Sequence, residues 1–211
     1  MTAGPARAID IVLLPPGPVM EAAIALNRSM NEKAGNTILE LDRTTAIPHI
    51  SLAMGAVRAG DLPAIGALLD AIAAEMLPIE IFPDDIVTVT TSSGDAVSGL
   101  DLERTAALKE LHERVMRAVE PFLLEEVTTA MVAAGEDQTI TPFTAAYATR
   151  YREDAAYGRF SPHITLGYWK AGNAAVGFPC ACMFRCTSIA LCSLGNNCTC
   201  RGVISKHPAS G

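Results

Sequence analysis

The feature that most restricts how this chain can fold is a short stretch written twice. IPHISLAMG at 47–55 and SPHITLGYW at 161–169 align as Pro-His-Ile-(Ser/Thr)-Leu, with His49 and His163 in register. In a strand, alternate side chains share a face. His49, Ser51, Ala53 and Gly55 are therefore expected on one face, and Ile50, Leu52 and Met54 on the other. In the second copy His163, Thr165, Gly167 and Trp169 share a face, opposed by Ile164, Leu166 and Tyr168. The apolar face anchors each strand in a core. The other presents a histidine and a hydroxyl, followed by small residues that leave room above the backbone. With no evident linker between the copies, one duplicated, two-lobed domain over 1–211 fits better than two independent ones.

The rest of the chain reads as mixed α+β. ARAIDIVLLP (6–15) is a buried strand, and a helix follows from Pro18 to about Lys33, stopped by Gly35. TILEL (37–41) and AIPHISLAMG (46–55) are two further strands. Asp61 is placed to cap a helix running to Met76. IEIF, DIVTVTT and AVSGLDL are short strands, the last two joined by the turn signal SSGD. A helix over 103–120 aligns Leu108, Leu111, Val115 and Val119. Another fits 141–157, with Thr141 as cap and Pro142 at its first position. The ending reads as a hairpin turning around Asn196-Asn197. The expected architecture is a pseudo-symmetric pair of antiparallel sheets facing across a central cleft, with helices outside.

Composition narrows the partners. The 211 residues are 50% hydrophobic and 18% charged, with a net charge of −7. That is a globular balance, and it argues against long duplex nucleic acid, which needs a basic face. No stretch is apolar for long enough to span a membrane or serve as a signal peptide, so a cytoplasmic protein, read as a monomer, is expected. All six cysteines follow residue 179, without the C-x2-C spacing of structural zinc sites. They read as reduced, buried thiols. Cys192 faces Cys200 across the hairpin, where a disulfide is geometrically conceivable and two packed thiols are favoured.

Doubling a histidine strand has a chemical reason. In-line cleavage of a phosphodiester needs a base for the incoming oxygen and an acid for the leaving one, on opposite sides of phosphorus. Two imidazoles can divide those duties, and adjacent hydroxyls can hydrogen-bond the non-bridging oxygens as charge builds. No metal or cofactor is required. PHISL and PHITL resemble the paired H-x-(T/S)-x motifs of the 2H phosphoesterase superfamily, which includes 2'-5' RNA ligase-like proteins and cyclic phosphodiesterases. The order of elements is similar over most of the chain, although the specific signal occupies about ten residues. The resemblance implies a bilobal fold, His49 and His163 as the catalytic pair, and Ser51 and Thr165 as phosphate ligands. It also implies metal-independent chemistry on a small nucleotide or an RNA end carrying a 2',3'-cyclic phosphate. Substrates with 2'-5' linkages, cyclic dinucleotides, RNA 2'-5' ligation and a non-catalytic nucleotide-binding role stay open.

Further candidates surround the second motif. Trp169, on the His163 face by parity, is placed to stack on a base or to sit as a rim aromatic; Tyr168 packs on the opposite face unless the strand bulges, and stays a candidate substrate contact. Arg150, Arg152 and Arg159 form the densest basic patch, suited to a terminal phosphate or simply to a solvated helix face. Phe160 and Tyr157 are set to line the approach. His112, between Leu111 and Glu113, reads as a surface residue, and His207 as a solvated residue of the tail.

Overall fold

The computed structural model describes residues 4–35, 37–91, 94–136, 138–169, 178 and 182–210. The first half runs β1 (Ala6–Leu13), α1 (Gly17–Ala34), β2 (Ile50–Arg58), α2 (Leu62–Met76), β3 (Ile79–Ile81), β4 (Pro83–Thr90) and β5 (Ala96–Leu102). The second runs α3 (Ala106–Val119), α4 (Pro142–Asp154), β6 (His163–Gly167), β7 (Phe184–Cys186), β8 (Ser188–Leu194) and β9 (Cys200–Pro208). This is the α+β class expected from the sequence. Every strand pair within the sheets is antiparallel.

One sheet has the order β2-β1-β8-β9 and another β4-β5-β6, with a small β3-β7 pair beside them. The small pair adds a third sheet to the two expected. The two histidine strands, β2 and β6, are edge strands of the larger sheets and come into contact with each other. Helices α2 and α3 pack on the four-stranded sheet, and α1 packs on β6. The buried stripe of α3 is Leu108, Leu111, His112, Val115, Met116 and Val119, and each large apolar side chain removed from water there contributes about 2 kcal/mol. Thr105 caps α3 through Leu108 N–H, whereas Asp61 and Thr141 precede their helices without a side-chain cap bond. Gly35 ends α1 at φ 60, a left-handed conformation that glycine adopts without penalty.

TILEL is not a strand. Two buried amides of α1 take over the bonds that a neighbouring strand would have supplied. Asn27 Nδ2 donates to Leu39 O (3.0 Å) and to Leu166 O (2.7 Å), its Oδ1 accepts from Leu41 N, and Asn31 Nδ2 donates to Leu39 O. The segment is tied to a helix and cannot join a sheet.

The cysteine expectation also changes. Cys192 and Cys200 form a disulfide, their Cα atoms 5.7 Å apart. The register differs from a simple hairpin: Leu194 pairs with Cys200 and Cys192 with Val203, with irregularities on either side of Cys192. Those irregularities swing the two sulfurs together within an apolar cluster of Val12, Met20, Ile47 and Ala190. Cys182, Cys186 and Cys198 are free. The Gly- and Pro-rich stretch after Trp169 lies outside the described residues, apart from Phe178 and Cys182.

His207 belongs to β9 rather than to a solvated tail. It is buried, with Nδ1 against Asp70 Oδ1 (2.7 Å) of α2 and Nε2 against Ser205 Oγ (2.9 Å).

The loop leading into β2 is organised by Asp42, whose carboxylate accepts from the backbone of Thr44, Thr45 and Ala46 and from both threonine hydroxyls. Burial opposes the charge, but these donors outweigh it and hold the carboxyl at about 2, below 3.8. A folded value below the unfolded one means that the stabilisation is complete above about pH 4 and is lost as pH falls through about 2. Asp42→Ala is expected to cost about 1 kcal/mol at pH 7, after allowance for solvent screening. The loss should vanish in urea titrations repeated near pH 2; an equal loss at both pH values would contradict this account.

Candidate active site

Both histidine strands reach their working geometry through a bulge at the same place in the repeat. In β2 the register with β1 runs Ile11–Ala53 and then Val12–Ser51, leaving Leu52 unpaired. In β6 the register with β5 runs Ser98–Gly167 and then Gly99–Thr165, leaving Leu166 unpaired. Each bulge falls on the leucine after the hydroxyl residue and reverses the alternation beyond it. Met54 thus joins His49 and Ser51 on the cleft wall, and Tyr168 joins His163 and Thr165.

The parity expected for the end of the second motif is therefore inverted. Tyr168 lines the cleft, and Trp169 is buried on the far side, its carbonyl accepting from Ser98 Oγ at 2.7 Å. The indole lies over Gly167, where a Cβ would come within 3 Å of three of its atoms. The orphaned carbonyls of the bulges are met by buried polar side chains. His112 Nδ1 donates to Leu52 O at 2.8 Å, and Asn27 Nδ2 donates to Leu166 O. His112 is fully buried and stacked on Phe160, with ring centroids 3.9 Å apart, so the surface placement read from its neighbours is corrected. Its flanking Glu113 misled, because helix periodicity puts position 112 on the apolar stripe beside Leu108 and Val115.

His49 and His163 line one cleft of about 370 Å³, the size of a small-ligand site. Each ring is locked the same way: Nδ1 of His49 lies 2.6 Å from Ile47 O, and Nδ1 of His163 lies 2.9 Å from Ser161 O. A carbonyl can only accept, so each Nδ1 carries hydrogen and each Nε2 is the chemically available nitrogen. The Thr165 hydroxyl makes no hydrogen bond to another described residue. Ser51 is differently placed, its hydroxyl donating to Asp10 Oδ2 at 2.8 Å.

Asp10 is the residue that motif reading passed over. It sits on β1, fully buried, with Oδ2 3.3 Å from His49 Nε2 and Oδ1 without a hydrogen-bond partner among the described residues. Burial pushes its carboxyl above the ordinary value, partly offset by His49 and Ser51. For His49, burial works against the charged ring, but the carboxylate beside it prevails and raises the pKa above 6.5. The signal was present in the sequence, as a lone acid inside the apolar run ARAIDIVLLP.

The cleft walls are apolar and aromatic. Phe143, Tyr147 and Tyr151 form a ladder along α4, with successive ring centroids 5.8 and 6.2 Å apart, and Val87, Val89 and Val97 face it from the β4–β5 hairpin. Phe160 and Arg159 also line the cleft, whereas Arg150 and Arg152 do not. The arginines are spoken for: Arg150 pairs with Asp154 (2.7 Å), Arg152 with Glu120 (2.5 Å), and Arg159 with Asp154 (3.7 Å). Asp101, paired across the ladder with His163, adds a further acid. Among the described residues, no group of three or more His, Cys, Asp or Glu could hold a metal ion, and no helix is long and apolar enough to cross a membrane.

This two-lobed α+β fold brings the paired His-x-(Ser/Thr) strands to one cleft, the arrangement that the resemblance of their motifs implies. Among solved structures the likeness is to TT0787 of Thermus thermophilus and to LigT of Escherichia coli. TT0787 matches with a TM-score of 0.60 at 18% identity, over 97% of this chain and 98% of its own. LigT complexed with ATP matches with a TM-score of 0.53 at 15% identity, and LigT complexed with NADP+ with 0.52 at 14%; both cover 98% of this chain and 100% of theirs. No protein-family model matches the sequence, and no curated protein matches it. At these identities the likeness establishes the fold, and the chemistry rests on the site.

Proposed function

We propose that this protein is a metal-independent phosphodiesterase that opens a 2',3'-cyclic phosphate, or a closely related ribose phosphodiester, on a small nucleotide or RNA end. The observation that carries this reading is the pair of imidazoles, each locked at Nδ1 by a backbone carbonyl and both lining one cleft. One removes a proton from water, and the other protonates the departing ribose oxygen. Thr165 supplies a hydroxyl for the non-bridging oxygens, with Ser51 able to join once it lets go of Asp10.

The lining favours a small substrate. Apolar walls and the Phe143–Tyr147–Tyr151 ladder suit a nucleobase, while Asp101 and Asp154 in the lining leave little tolerance for phosphates beyond the one between the histidines. LigT, which shares the fold, has been crystallised with ATP and with NADP+.

The test is a panel of nucleoside 2',3'-cyclic phosphates, 2'-5'-linked dinucleotides and cyclic dinucleotides, with products identified by mass spectrometry. Cyclic phosphates should be opened to a single phosphomonoester isomer, at a rate unaffected by EDTA. Turnover confined to the 2'-5' or cyclic dinucleotides would transfer the assignment to them. Tight binding of every compound without turnover would make the cleft a nucleotide-binding site.

A further inference from the structure

The two half-sites are copies in sequence but not in their protons, and the difference is Asp10. Because Nδ1 of each ring donates to a backbone carbonyl, a neutral ring presents a lone pair at Nε2. At His163 that nitrogen has no hydrogen-bond partner among the described residues. At His49 it lies 3.3 Å from Asp10 Oδ2 in a buried setting. A lone pair cannot face a carboxylate oxygen there without a large electrostatic cost. One of the two groups must therefore carry a proton. Oδ2 already accepts from Ser51 Oγ at 2.8 Å, which favours the carboxylate and puts that proton on Nε2.

We propose that Asp10 is a positioning residue that divides the labour of the two histidines: it holds His49 loaded as the general acid and leaves His163 as the general base. The inference rests on the phosphodiesterase reading of the cleft. His163 Nε2 takes a proton from water as the water oxygen bonds to phosphorus. The bond from phosphorus to the departing ribose oxygen breaks, and His49 Nε2 gives that oxygen its proton. A phosphomonoester with a free ribose hydroxyl results. Transfer of the proton from His163 back to His49 through solvent restores the starting state.

The direction of the His49 shift agrees, since the carboxylate outweighs burial in favour of the charged ring. The groups facing this pair are few. They are Ser51 beside His49, His163 on β6, Tyr147 and Tyr151 on α4, and Cys198 before β9. The last three are held protonated by burial, and the largest influences on Asp10 after its burial are His49, Ser51 and His163. Asp10 is thus the anion that compensates the imidazolium.

The experiment compares the intact protein with Asp10→Asn, which keeps the shape and removes the charge. On a cyclic phosphate, Asp10→Asn should lose activity about tenfold or more on the alkaline side of the pH profile, where the loaded acid is lost first. The acid-side limb should stay in place. On a nucleoside p-nitrophenyl phosphodiester, whose leaving group needs no proton, the loss should be far smaller, whereas His163→Ala should be equally damaging on both substrates. Equal loss by Asp10→Asn on the two esters, or movement of the acid-side limb alone, would overturn the assignment. Imidazole 15N spectra of the wild-type protein test it without catalysis. They should show His49 doubly protonated at pH 7, and a bare Nε2 would refute the proposal. If no phosphodiester is turned over at all, the phosphodiesterase reading fails, and the spectra still report on Asp10 and His49.

Discussion

His49→Ala and His163→Ala are each expected to reduce turnover of a cyclic phosphate by about 10³-fold, in line with general acid–base contributions of roughly 10²–10⁴. His163 is exposed at the start of β6, so His163→Ala should change the unfolding free energy by less than about 1 kcal/mol. His49, just before β2, is largely buried beside Asp10, and His49→Ala should cost more, because it leaves that carboxylate unpaired. The double variant should fall little further than either single one, because the two rings serve the same bond-breaking event and their losses do not add. KM should change less than kcat, since the seat proposed for a nucleobase is the α4 aromatics rather than the imidazoles. A variant lacking either imidazole that retained a tenth of the wild-type kcat would mean that water alone can fill that role, and the paired mechanism would have to be abandoned.

What the sequence made legible was whatever depends on local pattern. The repeated Pro-His-Ile-(Ser/Thr)-Leu located both imidazoles and both hydroxyls, and alternating apolar runs located most strands. Strand parity, however, holds only while the ladder is regular. The bulges at Leu52 and Leu166 depend on tertiary partners that no local pattern encodes, so Met54, Tyr168 and Trp169 were assigned to the wrong faces. The same kind of long-range partner took TILEL out of a sheet, through Asn27 and Asn31. Asp10 escaped notice because its role requires β1 to lie beside β2, a pairing that brings together residues far apart in the chain. The α4 aromatics were hidden differently. Phe143, Tyr147 and Tyr151 sit four apart on one helix face, a spacing that resembles ordinary core packing until the neighbouring wall is known to be a cleft.

The second large effect is expected away from the chemistry, at His112. This side chain satisfies two backbone groups at once: its Nδ1 donates to Leu52 O at 2.8 Å, and its Nε2 accepts from Tyr157 N at 2.7 Å. Tyr157 has φ 56, uncommon for a bulky residue, so the bond from its N–H to His112 helps to hold that turn. His112→Ala leaves a buried carbonyl and a buried N–H unpaired and opens a gap beside Phe160. The expected cost is about 3–5 kcal/mol at pH 8, read as a lower urea midpoint. Only the neutral ring fits, because a second N–H would point at the N–H of Tyr157. Burial lowers the ring's pKa below 6.5. Its contribution is therefore complete above pH 6.5 and is lost as pH falls through the folded value. Between pH 8 and pH 5 the gap in stability between wild type and His112→Ala should narrow. Since Leu52 adjoins Ser51 and lies on the strand that carries His49 to the cleft, the variant should also lose about tenfold or more in kcat without touching substrate. Asn27→Ala, which frees the matching carbonyl of Leu166, should mirror it around His163 and Thr165, at about 2–4 kcal/mol and with no pH dependence of its own. If His112→Ala were within about 1 kcal/mol of wild type at pH 8, the bulges would be held by the strands themselves, and the buried histidine would be a passenger in the core.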